Sequence, residues 1–247
     1  MPNTDKHEQI EAVELIAKET DSLFANLTQY LLKMERGIQL LKETEFQTFN
    51  SIIGGEYEEV FLEDEGFAED AIEAFFAEQN RVFEQLLPKQ MRYSFIVQVA
   101  TVIERQLRLL GQALGAPFSE NMKKIKEARQ ALHRSALFAH LAPAMAPPKD
   151  RGWDLFMKLS QVRNCIVHAH GNLNEMSDDH QSKLRKFVSE TKDWQGLKIS
   201  EVGELISGEY DYEGRKINFC MWVHKEGQLA LRYLMSGVVE ALKKANP

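Results

Sequence analysis

The chain has 247 residues, 44% of them hydrophobic, enough to bury the core of one large domain or two small ones. Its formal net charge of −7 argues against a broadly basic nucleic-acid-binding surface, and no run of 18 apolar residues is present to span a membrane. The opening MPNTDKHEQIEA lacks the basic-then-apolar order of a secretory signal, and Cys165 and Cys220 form no CxxC, so a reducing cytoplasm without disulfides is expected.

Leu23, Leu27, Tyr30, Met34, Ile38 and Leu41 recur at three- and four-residue spacing, which predicts one helix over roughly 5–50. Gly54 and Gly55 then break the pattern. The next stretch, Glu56–Asp70, holds eight acidic and no basic residues, leaving the rest of the chain at a formal +1. A local basic site therefore stays open, and the acidic run reads as a solvated loop or helix start, with a docking surface for a basic protein as the alternative.

A second helix fits about 68–87, with Ile72, Phe75, Phe76, Val82, Phe83 and Leu86 apolar; this spacing suits a core better than a base-stacking platform. A third fits 89–114, with Phe95, Val99, Val102, Ile103, Gln106 and Leu110 inward and Glu104 and Arg108 as an outward i,i+4 pair. Ser119 can cap a fourth through about Phe138, and LAPAMAPPKD (Leu141–Asp150) reads as a loop and candidate hinge.

The following helix starts near Trp153, buries Leu155, Leu159, Val162 and Ile166, and meets terminators at Gly171 and Asn172. A short helix is expected within Glu175–Trp194, and a small irregular or β-hairpin insertion near 197–216. A last helix over about 217–244 carries Leu229, Tyr233, Val238 and Leu242. The fold class expected is all-α, a helical bundle with a long N-terminal helix, read as one domain over 1–247 with an N-terminal extension over 1–66.

The chemistry concentrates in SQVRNCIVHAHG, Ser160–Gly171, which sets Arg163, Asn164, His168 and His170 within eight residues. The string RNCIVHAHG, with its R-x-x-x-x-H spacing at the end of an amphipathic helix and SFIVQVATVIERQLRLLG before it, resembles the HEPN superfamily. These are all-α domains that include metal-independent ribonucleases and bacterial toxins. The architectural likeness covers about 90–244, the specific chemistry only about nine residues.

The resemblance implies roles for the matching positions. Arg163 would contact the scissile phosphate, a task suited to a permanently charged guanidinium. His168 would serve as base on the ribose 2′-hydroxyl or as acid on the leaving 5′-oxygen, and Asn164 would orient one of these groups. It also implies an RNA substrate, no cofactor or metal, a homodimer with a composite site, and a cognate antitoxin or nucleotidyltransferase as partner. Some family toxins carry a tyrosine two residues past the histidine, where a nucleotidyltransferase adds adenylyl groups. Here that position is His170, an auxiliary candidate, which puts that silencing route in doubt.

Helix geometry constrains the pair. At 100° per residue, Arg163 and His168 lie about 140° apart, so one pocket needs the helix to end or distort near His168, or two chains to share the site.

Plainer alternatives stand beside these roles. Arg163 can pair with a carboxylate at a helix edge, Asn164 can be an ordinary exposed amide, and His168 and His170 can cap the negative helix end. A metal set of His168, His170, Asp179 and His180 lacks a further ligand cluster in the sequence. The function expected is a cytoplasmic, metal-independent endoribonuclease of the toxin or antiphage kind. The alternative is a non-catalytic helical module for RNA, nucleotide or protein.

Overall fold

The structure, a computed structural model, describes residues 6–53, 65–114, 151–190, 197–207, 209–212 and 215–244. The chain is all-α with a long N-terminal helix, α1 (Lys6–Ile53). It is followed by α2 (Glu65–Gln79), a π-helical segment (Asn80–Leu86) and α3 (Leu87–Ala113). Then come α4 (Arg151–Ala169), a 3-10 turn (Leu173–Glu175), α5 (Asp178–Glu190), four short strands and α6 (Phe219–Lys244). β1 (Leu197–Ile199) pairs antiparallel with β2 (Leu205–Ser207), and β3 (Glu209–Tyr212) with β4 (Arg215–Asn218), within the stretch expected to hold a small insertion. The expected helix from Ser119 to Phe138, the loop 141–150 and the breaks at Gly54 and Gly55 lie outside the described residues. No described helix is long and apolar enough to cross a membrane.

The chain divides into two compact units. The first comprises 1–27 and 96–247. Its core takes Val13, Ile16 and Phe24 from α1, with Ile96, Val99, Ile103 and Leu110 from α3. Leu159, Val162 and Cys165 of α4 and Val223, Leu231 and Val238 of α6 complete it. Close helix approach depends on Gly227, where an added Cβ would lie 3.0 Å from Ile103 Cδ1. Polar ties between α1 and α6 sit around this contact. His224 Nε2–H donates to the Phe24 carbonyl at 2.7 Å, and Asp21 accepts from Arg232 Nε at 2.6 Å and Gln228 Nε2 at 3.0 Å.

Of the apolar residues expected on α6, Val238 is in the core. Leu229 and Tyr233 are 47% and 71% exposed, while Val223, Leu231, Leu234 and Val238 are buried. Leu229 and Val238 are nine residues apart, or about 180° on a helix, so no single face can hold both. In α3, Glu104 and Arg108 both face solvent without an ion pair between them; Arg105 instead meets Glu19 at 2.9 Å.

The second unit, 28–95, is an antiparallel helical hairpin. Tyr30 Oη lies 3.5 Å from Ser94 Oγ, Lys42 pairs with Glu84, and Phe49 stacks on Phe75 at 3.6 Å between centroids. Phe46 and Phe76 extend that aromatic cluster. Of the expected α1 face, Ile38 is buried but Met34 and Leu41 are exposed, as are Phe76 and Leu86 on the returning strand of the hairpin.

That returning strand buries Gln79, Phe83, Met91 and Phe95. A four-residue repeat overshoots a 3.6-residue turn by about 40° each time, so such a stripe drifts off an α-helical face. The π segment unwinds the helix there: the Leu87 N–H donates to the Val82 carbonyl, five residues back. It also precedes Pro88, which has no N–H to give to residue 84 and whose ring would crowd that carbonyl in an unbroken α-helix. The two helices expected over 68–87 and 89–114 are therefore continuous.

Candidate functional site

α4 carries the polar string because its apolar positions repeat on one side. Phe156, Leu159, Val162, Cys165, Ile166 and Ala169 are all buried, packed toward α6 and α5. The same count puts Gln161, Asn164 and His168 within about 60° of one another on the opposite face. Gln161 and Asn164 are half-buried and His168 is exposed. The Leu155 side chain lies outside the described ones.

Arg163 sits at the edge of the buried face, half-buried. Its Nη1 donates to Asn164 Oδ1 at 2.8 Å, and its Nε is buried without a partner. Among the described residues no carboxylate pairs with it. No described carboxylate offsets the guanidinium, and its bond to Asn164 turns one nitrogen toward that amide. Asn164 and His168, four residues apart, differ by only about 40°. The structure thus brings Arg163 to Asn164, and Asn164 to the side of His168, while no contact joins Arg163 to His168.

The helix runs unbroken through His168 and ends after Ala169. The reversal is made by two successive left-handed residues, His170 at φ +49° and Gly171 at φ +79°. A non-glycine residue held there costs about 1–2 kcal/mol of local strain. His170 thus ends the helix through its backbone, with its side chain exposed. The Gly171 N–H donates to the Cys165 carbonyl at 3.1 Å and the Asn172 N–H to that of Ala169 at 2.6 Å.

The turn is then stitched to the β1–β2 connection. Leu173 N–H donates to Gly203 O at 2.8 Å, and Leu205 N–H to Gly171 O at 2.8 Å. Asn172 Oδ1 caps the 3-10 turn by accepting from the Asn174 N–H at 3.0 Å. Asn174 Nδ2 donates to Val202 O at 3.0 Å, and its Oδ1 accepts from Arg185 Nη2 at 3.4 Å. Gly203, at φ +84°, leaves room for that amide: a Cβ there would fall 2.6 Å from Asn174 Nδ2. Asn174, Arg185 and Gly203 are not singled out by the sequence reading, which takes Asn172 only as a helix terminator; the Gly-Asn-x-Asn run 171–174 is the local signal that a bonded turn follows the helix.

The remaining candidates separate. His180 Nδ1 shares a 2.7 Å hydrogen bond with Ser177 Oγ, and Asp179 pairs with Lys183 at 2.5 Å. Neither converges with His168 or His170, and among the described residues no group of three or more His, Cys, Asp or Glu is placed to hold a metal ion. Burial, with the charge of Glu175 adding to it, pushes the Cys165 thiol up to about 11, so it is a core thiol and not a nucleophile.

Compared with protein-family models, curated proteins and solved structures, the chain matches none of them.

Proposed function

We propose that this chain is a metal-independent endoribonuclease of the HEPN kind, acting in the cytoplasm as a homodimer and serving as a toxin or antiphage effector. One observation carries the reading. Arg163, half-buried and without a carboxylate partner among the described residues, is held by the Asn164 amide on the flank of a helix face that presents the exposed imidazole of His168. An uncompensated guanidinium has reason to be there if an anion visits, and imidazole is the side chain suited to moving a proton in such a reaction.

In this mechanism the ribose 2′-oxygen attacks the adjacent phosphorus while an imidazole takes its proton. The bond from phosphorus to the 5′-oxygen breaks, and that oxygen gains a proton. The products end in a 2′,3′-cyclic phosphate and a 5′-hydroxyl. Arg163 offsets the charge that grows on the phosphoryl oxygens. A two-fold axis sets the Arg163 of one chain toward the His168 of the other, whose single imidazole takes the 2′-hydroxyl proton while water supplies the proton to the leaving oxygen.

RNA cleavage by wild type and by His168→Ala, in EDTA, tests this. Cleavage lost in the mutant, with cyclic-phosphate ends and resistance of a substrate 2′-deoxy at the cleaved nucleotide, is the expected result. Activity that EDTA abolishes and metal restores sinks the mechanism, as does equal cleavage of the deoxy substrate. A wild type that cleaves nothing favours a binding module, a reading supported by the exposed Met34, Leu40 and Leu41 of the hairpin unit.

A further inference from the structure

Arg185 shares with Arg163 a feature that the other paired arginines lack. Arg81, Arg105 and Arg232 each meet a carboxylate, at 2.7, 2.9 and 2.6 Å. Arg163 and Arg185 instead bond an asparagine Oδ1, at 2.8 and 3.4 Å, and among the described residues neither meets a carboxylate. An amide orients a guanidinium without neutralising it. The fork of Arg185 has five donors, and a single long bond commits little of one of them. Its neighbour on α5, Lys183, is by contrast neutralised by Asp179 at 2.5 Å.

Position adds to charge. Leu184 and Phe187 are buried and fix α5, leaving Arg185 exposed between them. Its tether, Asn174, is bonded through Asn172 to the Ala169 carbonyl, the last residue of α4. Arg185 is therefore tied by one bond to the turn that follows His168, and it is the second guanidinium held by an amide. On a chain of net charge −7 these are two cations that no carboxylate pairs with among the described residues.

We propose that Arg185 is a second phosphate contact, holding a phosphate of the RNA strand that flanks the one cleaved. This rests on the endoribonuclease reading and adds to it that the substrate is a strand extending past the cleaved linkage, bound by its backbone and not by the scissile dinucleotide alone.

The test uses a fully 2′-O-methylated oligoribonucleotide of about 12 nucleotides, which binds but cannot be cleaved, at several salt concentrations. Loss of one phosphate contact on a single strand lowers the slope of log Kd against log salt by about 0.7. Arg185→Ala is expected to show that reduction and Arg185→Lys, which keeps the charge, to retain most of the wild-type slope. With cleavable RNA, Arg185→Ala should raise KM several-fold and by more than it lowers kcat. An unchanged slope in Arg185→Ala, with both variants losing thermal stability alike, makes Arg185 a structural brace and overturns the proposal. So does an equal slope change in Lys183→Ala, which makes the effect a general one of surface charge. Wild type that cleaves RNA while Arg185→Ala matches it in slope and KM overturns the contact and leaves the ribonuclease reading standing. Wild type that neither binds nor cleaves RNA overturns both.

Discussion

Arg163 is bonded to its own chain neighbour: Nη1 reaches Asn164 Oδ1 at 2.8 Å, so the amide, and not a carboxylate, sets where the guanidinium points. Asn164→Asp tests what this arrangement is for. The substitution keeps the shape but sets a negative charge beside the cation. Folding stability should hold, since the new pair is only half-buried, while RNA cleavage should fall by about 10²-fold, the scale of a lost transition-state contact. Asn164→Ala should be milder. If the aspartate variant cleaves like wild type, the charge of Arg163 is not used.

An unbroken helix through His168 bears on how the site is assembled. Arg163→Ala and His168→Ala should each be inactive, yet mixing them should restore activity in the roughly half of dimers that are mixed, if the arginine of one chain serves the histidine of the other. Light scattering must show that both variants dimerise and exchange. A mixture that stays inactive under those conditions assigns the whole site to one chain, with Asn164 bridging the roughly 140° between the two groups.

Cys165 gives a prediction for alkaline pH. Its thiol titrates at about 11 when folded against 9.0 ordinarily, so the folded state holds this proton more tightly than the unfolded one. The resulting stability is fully present below pH 9 and fades as pH rises through 11. The difference in unfolding free energy between wild type and Cys165→Ala should therefore shrink over that window, by about 2–3 kcal/mol at most. Alkylation of the native thiol at pH 8 should be far slower than in denaturant.

Gly203→Ala should destabilise the fold by about 1–3 kcal/mol, since a left-handed backbone must then carry a Cβ. The Cβ would also press on the Asn174 amide, which cannot move without releasing Val202 and Arg185. Chemical denaturation gives the first effect, and a weakened affinity for RNA would report the second.

What the sequence reveals follows from range. The α4 stripe is local, and its buried positions, Leu159, Val162 and Ile166, are visible from spacing alone. The all-α class and the long first helix are legible for the same reason. On α6 the apolar residues visible in the sequence divide, since Leu229 and Val238 lie about 180° apart and only Val238 is buried. Contacts such as Asn174 to Val202, or Asp21 to Arg232, join positions 28 and 211 residues apart, and no periodicity encodes them. The Arg163–Asn164 bond is as local as a contact can be, yet it depends on rotamers that a string of letters does not carry.

The π-helical segment Asn80–Leu86 also determines how the hairpin unit tolerates changes in chain length. Wide i→i+5 turns house a residue that an α-helix has no place for. Removing one residue from this segment, with Pro88 also replaced by alanine so that no ring crowds the closed turn, would let it return to ordinary α-helical bonding, with Gln79 and Phe95 still facing the same way. Elsewhere in α2 or α3 a one-residue deletion turns everything beyond it by about 100° and swings the buried stripe toward water. A deletion at Gln85 made together with Pro88→Ala should accordingly melt near wild type, whereas one at Gln90 should not fold. For this helix, length is negotiable in one turn and fixed in the rest.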